Sequence, residues 1–353
     1  DTPAFTDDFS YNIATPNQRI IHHILKLENT YNWKNSQLKL LYGFQLNKRQ
    51  EFDIRRGSNN GVPSIDLKLI SHTINADWIH PEVDGWNGAL GIQGSYQDNN
   101  NLPGTNTIPF VPNFNTSRIG MFIEESKTFG KTTAEFGLRY DLQSSSFRGR
   151  ASDNSVFIHN QKFRSVSGLI GFILSISPNA TLRSNIATAW RPPNIAELYS
   201  FGKHQFTNEY GFYRYNESNG EINTDVVLSP SDLEVKNELG YKWLTSLETK
   251  VNNLRLEVSP FVNLIKNYIY AIPRGISNTV RGTFPYFIYI QNDAVFAGVD
   301  ATAILSNHSQ FESKLSGSYL YAKDISNNDV LFGIPANKLT YRLTYRSKSS
   351  ANL

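Results

Sequence analysis

Leu38-Lys39-Leu40-Leu41-Tyr42-Gly43-Phe44-Gln45-Leu46-Asn47-Lys48-Arg49 repeats with a period of two. Leu38, Leu40, Tyr42, Phe44 and Leu46 share one parity. Gln37, Lys39, Gly43, Gln45, Asn47, Arg49 and Glu51 share the other, with Leu41 the one apolar intruder. Successive side chains of a strand point to opposite faces, so this stretch has one apolar face and one polar face. The same alternation recurs at Ala134, Phe136, Leu138, Tyr140 and Leu142 against Glu135, Arg139, Asp141 and Gln143. It returns at Val166, Gly168, Ile170, Phe172, Leu174 and Ile176 against serines and glycine. Helical spacing is nearly absent.

Carrying this period along the chain predicts roughly thirteen strands. Their spans are 18–32, 37–52, 65–79, 87–97, 117–127, 132–143, 162–176, 181–190, 233–245, 253–270, 286–304, 311–323 and 338–348. Many exceed the mean soluble strand of about 5–6 residues and suit the roughly 9–11 residues of a tilted membrane-spanning strand. The connections alternate short and long. The short ones carry turn residues (Lys34-Asn35-Ser36, Phe129-Gly130, Ser177-Pro178-Asn179), and the long ones are polar, as in Asp98-Asn99-Asn100-Asn101-Leu102-Pro103-Gly104. Strict alternation puts every short turn at one end of an up-and-down sheet, which is the asymmetry of outer-membrane barrels. A soluble sandwich or propeller also alternates, but the strands are long for a sandwich and no propeller repeat is present.

In a barrel, Leu38, Tyr42, Phe44 and Leu46 with Phe136, Leu138 and Tyr140 face lipid. Lys39, Gln45, Asn47, Arg49, Glu135, Arg139 and Asp141 then face the lumen, where the charges neutralise one another. The opposite register would put Arg139 in hydrocarbon at a cost of about 2–4 kcal/mol. Trp33, Trp78, Trp86, Trp190 and Trp243 lie near strand ends, as an interfacial belt requires. Single-chain bacterial barrels have an even strand count. Thirteen therefore leads to the expectation that the barrel is completed by strands outside residues 1–353.

Composition removes other classes. The chain has 353 residues, 34 Lys+Arg against 31 Asp+Glu, a formal charge of +3 and no Cys. Such a balance leaves no nucleic-acid footprint, and zero Cys removes disulfides, zinc fingers and thiol chemistry. No run approaches the roughly 18 apolar residues of a membrane helix. Catalytic signatures are also missing: there is no G-x-S-x-G elbow, Walker A loop or dinucleotide fingerprint. Glu124-Glu125 diverge as strand neighbours, and His22-His23 face opposite sides, so neither pair makes an acid/base couple or a metal clasp. The expectation is a protein that is not an enzyme.

Residues 185–200 read Asn-Ile-Ala-Thr-Ala-Trp190-Arg191-Pro192-Pro193-Asn194-Ile-Ala-Glu197-Leu198-Tyr199-Ser200. Downstream stands Leu228-Ser-Pro-Ser-Asp-Leu-Glu-Val-Lys-Asn-Glu238-Leu239-Gly240. These resemble the FRAP box and the "NPxLxPE…ELG" segment of TonB-dependent outer-membrane receptors, with Trp190 for Phe and Pro193 for Ala. Tyr42–Asn47, Gly137–Asp141 and Ile334–Leu339 match the same family, so the resemblance runs over nearly all 353 residues. It implies an all-β, antiparallel up-and-down transmembrane barrel of about 22 strands, of which this chain supplies about 13. Residues 1–353 would then be a partial barrel, with the plug domain and final strands outside this sequence. It further implies an outer-membrane location in a Gram-negative bacterium, contact with membrane lipid and lipopolysaccharide, and TonB-coupled energy delivered through the plug.

The function implied is import of a scarce ligand, a ferric siderophore or haem foremost, as transported cargo and not an intrinsic cofactor. The alternatives are a passive porin, or a glycan or peptide importer of the same superfamily working with a surface lipoprotein. Arg191-Pro192-Pro193 ends a strand abruptly, because proline cannot donate to the ladder. The following loop holds His204 among Tyr199, Phe201, Phe206, Tyr210, Phe212, Tyr213 and Tyr215, flat faces suited to porphyrins, catecholates or sugars. Haem receptors of the family carry a His between the two boxes, which implies His204 as a possible haem-iron ligand. Arg55-Arg56 and Arg148-Gly149-Arg150 are basic loop pairs open to lipopolysaccharide phosphates or an anionic ferric complex.

Overall fold

A computed structural model of the chain describes residue 13 and residues 15–53, 61–204, 207–218, 221–279, 282–307 and 310–347. Eight long strands come first: β1 (Asn17–Trp33), β2 (Ser36–Phe52), β3 (Ile65–Ile79), β4 (Trp86–Asn101), β5 (Asn113–Phe129), β6 (Thr132–Arg150), β7 (Val156–Ser177) and β8 (Ala180–Arg191). A folded excursion follows, holding helix α1 (Ile195–Tyr199), β9 (Phe201–His204), β10 (Thr207–Tyr210), a 3-10 turn (Phe212–Arg214), β11 (Asn216–Ser218) and β12 (Glu221–Asn223). The meander resumes with β13 (Glu238–Val251), β14 (Leu254–Thr279), β15 (Gly282–Asn307), β16 (Phe311–Asp324), the short β17 (Asp329–Val330) and β18 (Lys338–Tyr345).

Each long strand pairs antiparallel with the next, β8 pairs with β13 across the excursion, and one 16-stranded sheet results. Among the described residues β1 pairs with β2 alone and β18 with β16 alone, so the sheet is open at both edges. No described helix is long and apolar enough to cross a membrane. The architecture is an all-β, up-and-down barrel wall.

Register shows which face meets lipid. Tyr31, Leu38, Trp78, Leu90, Ile123 and Leu138 stand opposite one another in consecutive strands. Phe136, Ile170, Ile186, Trp243, Val262, Ala297 and Tyr321 continue the row. Phe136 and Leu138 lie two apart on β6, so the rows form one apolar surface from β1 to β16. Most of its members are exposed; Ile170 is 69% exposed and Ile186 63%. In water such a surface would be an unstable patch, whereas acyl chains cover it without cost.

The other face is polar. Asp141 is fully buried there, accepting from Arg139 Nε and Nη2 (2.7 Å each) and from Arg118 Nη2 (3.2 Å). Arg139 Nη1 also donates to Gln93 Oε1 at 2.8 Å. The charge compensation expected of the lumen is present, with Arg118 as the second cation where Glu135 was expected to share the network. Gly120 sits opposite Asp141, where a Cβ would collide with the Arg139 guanidinium.

Several strands run past their expected ends. β14 and β15 are 26 residues each and pair through Thr279–Gly282, so the predicted loop 271–285 is mostly strand. At about 3.3 Å per residue β14 spans roughly 85 Å, against a hydrocarbon thickness near 30 Å. The predicted loop 144–161 likewise shrinks to a turn between β6 and β7. Outside the bilayer both faces meet water, so the ladder persists while the alternation that advertises it disappears. In contrast, residues 233–237 are not strand, and β13 starts at Glu238. The short turns occur where expected, with left-handed Lys34, Gly130 and Asn252 at three of them. Trp33, Trp78, Trp86 and Trp243 are exposed as a belt requires, but Trp190 is not among them. Its indole Nε1 donates to Asp141 Oδ2 at 3.1 Å, under the Arg118 guanidinium.

Candidate ligand-capture loop

The excursion between β8 and β13 is tied at its root. Arg191, the last residue of β8, stands opposite Glu238, the first of β13. Arg191 Nε donates to Glu238 Oε2 at 2.7 Å and Nη2 to Oε1 at 2.5 Å, a fork-on-carboxylate pair. Its Nη1 lies 2.9 Å from the Glu197 carboxylate. Burial alone would lower the Arg191 pKa, but the bonds to Glu238 and Glu197 carry it above the ordinary guanidinium value. Glu238 Oε1 also accepts the Ile269 backbone N–H at 2.8 Å, which joins β14 to the clamp.

Pro192 and Pro193 break the ladder and deliver the chain to Asn194, the N-cap of α1. Asn194 Oδ1 accepts from Glu197 N (2.9 Å), and Glu197 Oε2 accepts from Asn194 N (2.8 Å), a reciprocal capping box. Glu197 therefore serves the cap and the clamp together.

Beyond the clamp the loop builds its own core from Leu198, Tyr199, Phe212, Tyr213 and Val235, set against Phe147 of β6 and Ile269 of β14. Tyr199 and Tyr213 are 1% and 0% exposed. Gln161 Nε2 donates to the Tyr213 hydroxyl at 2.6 Å, and His159 Nδ1 lies 3.0 Å from the Tyr199 hydroxyl. Phe157 stacks on Tyr199 at 5.6 Å between centroids, and Phe147 tilts against it at 4.9 Å. Burial lowers the His159 pKa, opposed by the charge of Asp232. Gly211 allows the close approach of the 3-10 turn to α1, since any Cβ there would strike the backbone of Leu198 and Tyr199. β10 adds in parallel to the outer part of β15 (Asn208 opposite Tyr286), seating the loop on the wall.

The predicted ligand residues divide accordingly. Tyr213 is closed off from solvent in the loop core, and Tyr199, buried in the same core, also lines the cleft described below. Tyr215 donates its hydroxyl to the Tyr289 carbonyl at 2.9 Å. Tyr210 is half-buried, edge-on to Phe201 and Tyr286. His204 pairs with Thr207 through its backbone, while its side chain and all of Phe206 lie outside the described residues, as do Arg55 and Arg56. No cluster of three potential metal ligands occurs among the described residues. Arg191, Asn194, Glu197 and Leu198 serve the clamp, the cap or the core, Pro193 ends the strand before the cap, and Trp190 joins the Asp141 network.

Sequence reasoning passed over Arg214, which lies 3% exposed in the aromatic run Phe212-Tyr213-Arg214-Tyr215. A cation inside an aromatic run was the available signal. Beside it opens a cleft of about 920 Å3 between loop 102–112, the β6–β7 tip and Tyr199.

The model of the "TonB dependent receptor-like, beta-barrel" family matches residues 1–353. No curated protein sequence matches. Among solved structures, the copper transporter OprC superposes with a TM-score of 0.68 at 15% identity, over 92% of this chain and 50% of that one. The alcaligin outer-membrane receptor FauA from Bordetella pertussis gives 0.65 at 14%, over 94% and 52%. The ferric enterobactin receptor PfeA from Pseudomonas aeruginosa, as an R480A mutant with enterobactin, gives 0.65 at 15%, over 93% and 48%. The chain thus spans about half the length of these structures.

Proposed function

This chain belongs to the TonB-dependent receptor β-barrel family, and from that premise we propose that it forms the lipid-embedded wall and capture loop of an outer-membrane importer. The cargo is a scarce metal chelate, a ferric siderophore or haem, and energy arrives from the TonB complex through a plug domain. The observation that carries the reading is the continuous exposed apolar row on one face, backed by the Arg118–Asp141–Arg139 network on the other. This is the wall of a barrel with lipid outside and water inside. The clamped loop, with its own aromatic core, is an ordered roof for such a lumen, which a passive pore has no need to build.

Growth of a receptor-deleted host on a ferric siderophore or haemin as sole iron source tests the proposal. Complementation by the whole protein is expected in a host with TonB and absent without it. Uptake that is indifferent to TonB would mark a passive channel and refute it. For haem, His204 is the proposed axial ligand; haemin addition should give a Soret shift that His204→Ala abolishes.

A further inference from the structure

Arg214 is a buried cation without a counter-charge. Its Nη1 donates to the Arg150 carbonyl at 2.9 Å, while Nε and Nη2 have no hydrogen-bond partner. No carboxylate among the described residues pairs with it. The Phe201 and Phe157 rings flank the guanidinium at 4.1 and 5.6 Å from their centroids. Burial pushes its pKa down to about 10. Desolvating an unpaired ion costs more than the flanking ring faces recover. A fold that keeps this arrangement keeps two free donors in the fork geometry that matches a carboxylate.

Arg214 lies on the wall of the 920 Å3 cleft, whose size falls within the roughly 300–1,000 Å3 of small-molecule sites. Leu102, Ile108, Pro109 and Phe157 make its apolar lining, and Arg148 and Arg150 stand exposed at its rim. We propose that this cleft binds a small organic oxyanion, a carboxylate on an apolar body, with the Arg214 guanidinium on its wall as the counter-charge. The apolar wall takes the body, and the rim arginines draw the anion in. The proposal deepens the receptor reading, because it names the chemistry of the group captured. Its test reads binding and not import, so either reading can fail without the other.

The probes are benzoate, its neutral counterpart benzyl alcohol, and inorganic phosphate, titrated calorimetrically against the whole protein in detergent. Benzoate is expected to bind saturably, with the other two far weaker. Arg214→Met should weaken benzoate about ten- to a hundredfold, the worth of hydrogen bonds to a charge. The Arg148→Gln/Arg150→Gln pair should weaken it only about two- to fivefold, as exposed charges do. Ile108→Asp, outside the loop core, should abolish binding by placing a like charge in the wall, and it serves if Arg214→Met does not fold. The proposal is overturned if wild-type protein shows no saturable benzoate binding, or if Ile108→Asp and Arg214→Met leave it unchanged. Phosphate binding as tightly as benzoate would also overturn it, because the site would then read a bare phosphate such as that of lipopolysaccharide.

Discussion

Replacing Glu238 by Gln keeps the side-chain volume and removes the charge that Arg191 grips. Two charge-assisted bonds, at 2.7 and 2.5 Å, become neutral or are lost, while the Arg191–Glu197 contact survives. Bonds to charged groups are worth about 1.5–3 kcal/mol each. The Arg191 side chain is 41% exposed, so solvent screens part of this, whereas Glu238 is only 9% exposed and feels the loss fully. A net cost of about 2–3 kcal/mol follows, which multiplies the local opening constant by roughly 30 to 150. Amide hydrogen exchange in detergent measures that constant directly, and residues 194–235 should accelerate by this factor. Strands β3 to β6 should not change, since no clamp bond reaches them. Arg191→Met should give a comparable effect, and the double variant should cost little more than either single, because both remove one interaction. Loop exchange unchanged within about threefold, or uniform acceleration of the whole sheet, would refute the clamp as the loop's anchor.

Leu138→Arg puts a charge on the lipid face and should cost about 2–4 kcal/mol in vesicle refolding titrations, while Gln45→Arg, on the lumen face opposite Ile24 and Ser71, should cost far less. The depressed pKa of His159 gives the loop a pH dependence. Its folded-state value lies below the ordinary 6.5, so the opened loop takes up the proton more readily. Stability is then full above that pH and declines as pH falls through it, seen as faster exchange of residues 194–235 that His159→Gln removes. Gly211→Ala should loosen the same segment by forcing α1 and the 3-10 turn apart, with the thermal transition of the strands unmoved.

The strands between Trp33 and Tyr321 were legible because hydrocarbon imposes a strict rule: one parity must be apolar, and a slip of one residue places Arg139 in lipid. The rule lapses at the bilayer surface. β14 beyond Tyr270 alternates no longer, so its last residues read as a polar loop even though the ladder continues to Thr279. Trp190 shows the limit from the other side. Its composition and position fitted the interfacial belt, and only the third dimension brings Asp141 and Arg118 within reach of its ring.

The candidate site was legible as motifs and illegible as a mechanism, for one physical reason. Arg191 and Glu238 are separated by an entire folded excursion in sequence, yet β8 and β13 are neighbours in the sheet, so register makes them direct partners. Trp190 and Asp141 come together in the same way. Three stretches that attracted notice separately, around residues 137–141, 190–198 and 238–240, thus converge on two adjoining charge networks at the loop's root. An aromatic-rich loop suggests a ligand surface, but a loop that must stay folded in water first spends aromatics on its own core. Tyr199 and Tyr213 pack there, and the chemistry left over belongs to the residue whose burial the loop repays only in part. Arg214 is that residue, and a ligand that brings the missing negative charge is the partner its environment specifies.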